Sequence, residues 1–205
     1  MQVNILNDNQ RSLLPLLSQF KREFYLVGGT AIALHIGHRL SIDFDLFKNG
    51  SLHPKRIVNK FEANNEVIKV TLNREGQLNL LCRNVTFTFL TFDYDIPHRL
   101  SLHNNITLPS LLDLAAMKAF ALGRRSKWKD YVDLFFILKS HYNLSQIAAQ
   151  AKLRFGDLFT EKLFRAQLSY FEGISFDEQI DFVAGFEVNE QQVKQFLTDA
   201  ALNDF

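Results

Sequence analysis

A single cysteine, Cys82, stands in 205 residues, which excludes an internal disulfide framework and fits a reducing compartment. Charge of one sign is also missing, since 23 lysines and arginines face 22 aspartates and glutamates. No bulk attraction to a polyanion is therefore written into the chain, and any such binding must come from a local cluster. No apolar run approaches the roughly 20 residues that span a bilayer. No basic start followed by an apolar block opens the sequence, so a secretory leader is not expected. Repeats, low-complexity segments and flexible linkers are absent too. The expectation is a cytoplasmic protein with no membrane contact. What the chain does have is phenylalanine, twenty of them, within a composition that is 47% hydrophobic. That suits one substantial domain, or a small α/β domain joined to a helical one.

The rest of the chain is organised around residues 24–47. Phe24 to Val27 is an apolar run ended by Gly28-Gly29, the mark of a buried strand that turns sharply. Thr30 reads as the N-cap of a short helix, which Gly37 stops. Ser41 to Phe47 then alternates, with Ile42, Phe44 and Leu46 on one face and Asp43 and Asp45 on the other. Side chains two apart on a strand point the same way, so the two carboxylates share one spot with Cα atoms roughly 6–7 Å apart. Carboxylates that close repel each other unless a cation sits between them. A hard divalent ion such as Mg²⁺ suits them, being commonly held by one or two carboxylates plus substrate phosphates. The amides at Gly28-Gly29, opening a helix, are placed to receive those phosphates. The plainer alternative is two solvated aspartates on an edge strand, with the glycines used only for the turn. Diglycine, helix and Asp-x-Asp in that order favour the metal–polyphosphate site.

Before this stretch, Asn9 to Phe20 has helical periodicity interrupted by Pro15. After it, Pro54 starts a helix running to about Ala63. Strands are expected over Glu66–Leu72, Gln77–Cys82 and Asn84–Phe92, with a tight turn at Arg83-Asn84 and an edge hairpin around Asn104-Asn105. From Pro109 onward the signals are helical: 110–122, 128–139, 145–155, 157–171, 177–185 and 189–202. The division implied is an α/β core over 1–108 and a helical region over 109–205, an α+β architecture.

In the first of these helices Ser110 and Asp113 form a capping-box pattern, and Lys118 falls inside an apolar stripe through Leu111, Leu114, Ala115 and Leu122. An ammonium there needs an anion. Three arrangements meet that need: a triphosphate, an internal ion pair with an aspartate, or a buried stem whose head reaches water. A basic turn follows, Gly123 to Lys127, carrying Arg124, Arg125 and Lys127. The next helix places Asp130 and Asp133 on one face, which points to a charged network at the join of the two helices.

The pattern Gly28-Gly29, thirteen residues, Asp43-Phe44-Asp45 resembles the first signature of DNA polymerase β-like nucleotidyltransferases. Its fuller wording, Gly-Gly-Thr-Ala through Arg39-x-Ser41-x-Asp43-Phe-Asp-Leu46, is similar to the AbiEii/AbiGii branch. Those proteins are the toxin halves of bacterial abortive-infection toxin–antitoxin pairs. Lys118, Arg125, Lys129-Asp130 and Asp133-Leu134 resemble that branch's later motif. The resemblance implies a polymerase-β-like mixed sheet flanked by helices, with the helical region packed on it and completing the active site. It implies an enzyme that moves a nucleotide from an NTP to an acceptor and releases pyrophosphate. In that role Asp43 and Asp45 hold Mg²⁺ while Gly28, Gly29 and Thr30 steady the outer phosphates. Arg39 is placed to grip a phosphate bidentately. Lys118 offsets charge on the departing pyrophosphate, Asp130 is a base or orienting group, and Asp133 holds Arg125 or Lys129 in place. A tRNA acceptor and a cognate antitoxin are the partners the resemblance suggests.

The sequence departs from that fold's pattern at one position. Thr88 aligns with the strand position where the fold carries a third carboxylate, and a hydroxyl supplies no negative ligand. Asp93 and Asp95, just beyond, either substitute for it or are solvated turn residues. Two rival readings follow: a module that holds an NTP and acts through a partner, and an enzyme that nucleotidylates a protein hydroxyl. Of the remaining polar residues, His35 and His38 read as a helix-surface pair and not as a metal site, and Cys82 reads as a small core residue.

Overall fold

The computed structural model describes residues 1–122, 124–125 and 127–202. Its strands form one seven-stranded mixed sheet in the order β3-β4-β5-β2-β1-β7-β6. The strands are β1 (Tyr25–Val27), β2 (Phe44–Lys48), β3 (Ile68–Arg74), β4 (Gln77–Cys82), β5 (Val85–Thr91), β6 (Leu100–Leu102) and β7 (Ile106–Leu108). Eight α-helices accompany them among the described residues: α1 (Asp8–Leu17), α2 (Gly28–Ile36), α3 (Pro54–Ala63), α4 (Leu111–Ala121), α5 (Trp128–Ser140), α6 (Leu144–Phe155), α7 (Glu161–Leu168) and α8 (Glu190–Leu202). The architecture is α+β. No described helix is long and apolar enough to cross a membrane.

The chain divides into two units, one of Met1–His35 with Ser41–Ser110, the other of Ile36–Leu40 with Leu111–Phe205. The second unit thus takes a five-residue strap made of the last residue of α2 and the start of the connection to β2.

In the first unit the aromatic residues do what their number suggests. Phe44 of β2, Phe87 and Phe89 of β5, and Leu78 and Leu80 of β4 are fully buried on one face of the sheet. Phe61 of α3 meets Phe87 edge-on at 5.0 Å, while Phe20 and Phe24 lie 5.0 and 5.2 Å from Phe89. Ring pairs of this kind add to the burial of large apolar area. The opposite face carries Asp45, Thr88 and Asn79, all half-buried. At the β4–β5 turn Arg83 and Asn84 both adopt positive φ, +49° and +61°. A two-residue hairpin turn of type I′ requires such a backbone at both positions. Arg83 is held there by a fork onto Glu66, at 2.8 and 2.7 Å.

In the second unit α5 is the central helix, with residues 130–137 all buried. Phe120 of α4 stacks on Phe155 of α6 at 3.9 Å, and Phe135 of α5 meets Phe196 of α8 at 5.1 Å. Helix α8 opens on a reciprocal cap, Gln192 N donating to Asn189 Oδ1 and Asn189 N to Gln192 Oε1.

The helix expected over 177–185 does not form. That segment is irregular, bridging Arg39 at Phe182 and receiving the Leu40 N–H at the Asp181 carbonyl. Phe182 and Phe186 instead lie against Phe136 of α5, at 6.3 and 5.6 Å. Backbone pairing with the strap and aromatic burial displaced the helix. The helix expected over 157–171 is likewise shorter, a 3-10 turn at Gly156–Leu158 followed by α7.

Candidate active site

Strand β1 delivers the chain to Gly28, whose φ of +73° lies in the left-handed region that glycine alone enters freely. Space restricts this position further: a Cβ here would stand 2.0 Å from Asp45 Oδ2. Residue 28 is therefore glycine for two separate reasons, and the carboxylate of Asp45 lies directly against the start of α2. The helix opens at Gly28, three residues earlier than the Ala31 start that a Thr30 cap implies. Thr30 is thus not its N-cap. It is buried inside the first turn, with Oγ1 donating to the Asp43 carbonyl and lying 2.8 Å from Ser41 Oγ.

That contact explains how Asp43 is held. Strand β2 begins only at Phe44, so residues 41–43 have no ladder bonds, contrary to the strand expected from Ser41. Two side chains fix this stretch instead: Thr30, and the fully buried Gln10, whose Nε2 donates to the Ser41 carbonyl at 2.8 Å. Ile42, expected on the buried face, is 52% exposed because the alternation starts after it. From Phe44 onward the pattern holds, with Phe44 and Leu46 buried and Asp45 facing the polar side.

The register across the sheet pairs Asp45 with Thr88 on the parallel strand β5, and Thr88 with Asn79 on β4. Thr88 thus stands beside Asp45, where the sequence alignment put it. Among the described residues no group of three or more His, Cys, Asp or Glu side chains gathers at one point. Asp93 accepts from the Gly50 N–H at 3.0 Å and is exposed, as a turn residue would be. The donor set therefore suits at most one divalent ion carried with a phosphate ligand, with the Asp45 carboxylate against the start of α2 and Asp43 two residues before it. It does not build a three-carboxylate cage.

The remaining predicted residues, Arg39, Lys118 and Asp130, come together in the second unit. They form a buried chain of charges with Asp133 at its centre. Arg39, 2% exposed, turns its bidentate fork onto Asp133, with Nε to Oδ1 at 2.8 Å and Nη2 to Oδ2 at 3.0 Å. Lys118 Nζ lies 2.6 Å from Asp130 Oδ1 and 3.0 Å from Asp133 Oδ2. Arg125, half exposed, closes onto Asp130 through Nε at 2.9 Å and Nη2 at 3.1 Å.

Asp133 therefore holds Arg39 and Lys118, not Arg125 or Lys129 as the sequence suggested. Asp130, one turn nearer the start of α5, is the residue that the α4–α5 connection can reach. Lys129 turns away to Glu178, at 3.0 Å. Of the expected basic turn, Gly123 and Ser126 lie outside the described residues.

Burial opposes the charges of Arg39, Lys118, Asp130 and Asp133, and pairing outweighs it. Burial pushes the Lys118 ammonium down, but Asp130 and Asp133 together hold it above its ordinary value. Burial pushes both carboxylates up. Arg39 and Lys118 hold Asp133 well below the usual range, and Lys118 and Arg125 lower Asp130.

The sequence missed His38, read above as a surface residue. It is fully buried, with Nε2 2.8 Å from Asp133 Oδ1 and no partner at Nδ1 among the described residues. A neutral imidazole protonated at Nε2 fits this setting, and burial holds its pKa below the ordinary value despite Asp133. Its partner lies 95 positions along the chain, so no local pattern announces the contact. His35 is half-buried against the Pro109 carbonyl, at 3.0 Å.

The fold has known relatives among solved structures. JHP933 from Helicobacter pylori covers 95% of this chain and 89% of its own, with a TM-score of 0.56 at 14% identity. MenT4, a nucleotidyltransferase toxin from Mycobacterium tuberculosis H37Rv, covers 96% of this chain and 82% of its own, with a TM-score of 0.59 at 16% identity. At these identities the likeness is one of fold. An uncharacterized protein of Aquifex aeolicus (strain VF5) is 27% identical over 182 residues, covering 85% of this chain and 84% of its own. Residues 13–80 and 83–203 match the model of the nucleotidyl transferase AbiEii toxin family of type IV toxin–antitoxin systems, and the chain belongs to that family. It is a nucleotidyltransferase.

Proposed function

We propose that this enzyme transfers a nucleotide from an NTP to the 3′ end of an RNA, tRNA being the acceptor class, with release of pyrophosphate. In a cell this would arrest growth, the toxin half of an abortive-infection pair with a cognate antitoxin. The observation that carries the reading is the close approach of Asp45 to Gly28, with Asp43 two residues away and tethered by Thr30. A carboxylate pressed against a helix start places a metal-binding group and an anion-binding group side by side.

In this reading Asp43 and Asp45 hold Mg²⁺, which when bound supplies charge neutralisation and polarisation at the phosphates. The first-turn amides of α2 hold the outer phosphates, and Gly28 and Gly29 let them approach without steric conflict. Phosphoryl transfer is mostly positioning and electrostatics, so the protein need supply no covalent nucleophile.

Lys118 and Asp130 are assigned to the same reaction. Asp130 accepts from both Lys118 and Arg125, and its lowered pKa suits an orienting group better than a proton acceptor. Arg39 becomes the buried support of the cluster through Asp133. With His38 neutral, Arg39, Lys118 and Arg125 outnumber Asp130 and Asp133 by one, so the cluster is net positive, as an anionic leaving group requires.

The test is to incubate the purified protein with labelled NTPs, Mg²⁺ and total tRNA, and to follow label and pyrophosphate. Transfer to RNA that is lost in Asp43→Ala and Lys118→Ala supports the reading. Label on a co-incubated protein with RNA untouched selects protein nucleotidylation instead.

A further inference from the structure

Beside the buried cluster, the second unit carries an arrangement with no role in the reaction as described. Lys127 and Lys129, at the N-terminal end of α5, converge on one carboxylate, Glu178. Glu178 belongs to the irregular segment after α7, which is pinned there by the Trp128 N–H donating to the Ser175 carbonyl at 3.1 Å. Both lysines are accessible, 50% and 24% by side chain, and so is Glu178 at 41%.

An ion pair exposed to this degree contributes little to stability, because water and salt screen it. Yet two ammonium groups meeting on one carboxylate make a seat shaped for a bidentate oxyanion, and a phosphodiester presents the same pair of oxygens. The surroundings suit a nucleic-acid strand. Arg124 and Arg125 are exposed in the same turn, and Phe176, 45% exposed, lies 5.1 Å from Trp128. Cations interleaved with accessible rings bind a single strand through its phosphates and the faces of its bases. Asp177, the neighbouring acid, is occupied with Ser175 Oγ at 2.7 Å.

We infer that Lys127 and Lys129 form a seat for an RNA phosphodiester, and that Glu178 is its internal competitor, holding the seat until the acceptor strand displaces it. This deepens the RNA-acceptor reading above and rests on it. A polyanion wins the exchange because each additional contact releases condensed counterions, whereas Glu178 offers one carboxylate. The contact then acts as a filter, rejecting isolated small anions and yielding to a strand that engages several cations together.

The experiment measures binding alone, without NTP or metal, by anisotropy of a labelled single-stranded oligoribonucleotide and of deacylated tRNA. Glu178→Gln frees the lysines and should tighten RNA binding about 3- to 10-fold at low salt, with no change in melting temperature beyond a few degrees. Lys127→Ala/Lys129→Ala should weaken binding and reduce the slope of log affinity against log salt by about 2. RNA affinity unchanged in both variants overturns the proposal. So does a gain confined to NTP affinity, which would give the seat to the triphosphate. Nucleotide transfer is followed separately. Loss of transfer in Asp43→Ala with these binding shifts absent would leave the reaction standing and remove only the seat.

Discussion

A Cβ at residue 28 would stand 2.0 Å from Asp45 Oδ2, so the carboxylate of Asp45 occupies the space that any side chain at residue 28 would need. Gly28→Ala forces either Asp45 or the start of α2 to move, and it places a side chain at φ +73°. The left-handed conformation alone costs about 1–2 kcal/mol. Stability is therefore expected to fall by about that amount while transfer falls far more, on the order of 100-fold or beyond, because the displaced group is the proposed metal ligand. Melting curves and initial rates on one preparation check this. A variant that loses stability and keeps its rate would separate Gly28 from the chemistry.

Thr88 lies in register with Asp45 on the adjacent strand. Thr88→Asp would add a third acid to the row and, without metal, a like charge beside Asp45. The melting temperature should drop in chelator and recover with Mg²⁺ or Mn²⁺ by more than the parent protein gains, since a ligand that binds only the folded state stabilises it. Equal recovery in the two proteins would mean that residue 88 does not face the ion.

Arg39 and Asp133 share a buried bidentate pair, and the pairing defines the chain of charges behind Lys118. Arg39→Met leaves Asp133 still paired with Lys118 and His38, whereas Asp133→Leu strips the buried Arg39 of its carboxylate, so both should destabilise, with Asp133→Leu the costlier at about 3–5 kcal/mol. The double variant should cost clearly less than the two added together. A double-mutant cycle by denaturant unfolding measures the difference. Additive losses would contradict a direct coupling.

His38 gives the second unit an acid sensitivity in a definite window. Its folded-state pKa lies below the ordinary 6.5, because burial outweighs Asp133 while Arg39 and Lys118 also oppose a further positive charge. In the unfolded chain it titrates near 6.5. Its contribution is thus complete above that pH and is lost as pH falls toward the depressed folded value. Asp130 and Asp133, whose folded pKa values are also lowered, add a second loss only below about 4, the ordinary carboxylate value. Stability measured from pH 8 to 3 should decline in these two stages, and His38→Asn should flatten the first. A His38→Asn profile that still falls between pH 6.5 and 5 would assign that stage to another group.

The parts of this molecule legible in the sequence were those decided locally. Pro54 sets the start of α3 and Gln77–Cys82 alternates as β4, while Thr88 was matched through the family resemblance to the third-carboxylate position, and the register then set it beside Asp45. The charged network between α4 and α5 was also legible, because helical spacing puts Asp130 and Asp133 on one face. Its partners were not. His38 and Arg39 reach Asp133 from nearly 95 positions away, and the strap that carries them is paired by residues 181–183, a stretch whose own composition reads as helix. Thr30 looked like a cap because threonine before a helix usually is one. Here the hydroxyl was drawn instead to the Asp43 carbonyl, which has no ladder partner.

The central claim is that Asp43 and Asp45 hold a divalent ion together with an NTP against the first turn of α2. Calorimetric titration with a non-hydrolysable NTP, with and without Mg²⁺, tests it most directly in the parent protein and in Asp43→Asn/Asp45→Asn. The account predicts that Mg²⁺ tightens nucleotide binding in the parent by at least about tenfold and does nothing in the double variant. Metal-enhanced binding that survives loss of both carboxylates would contradict it.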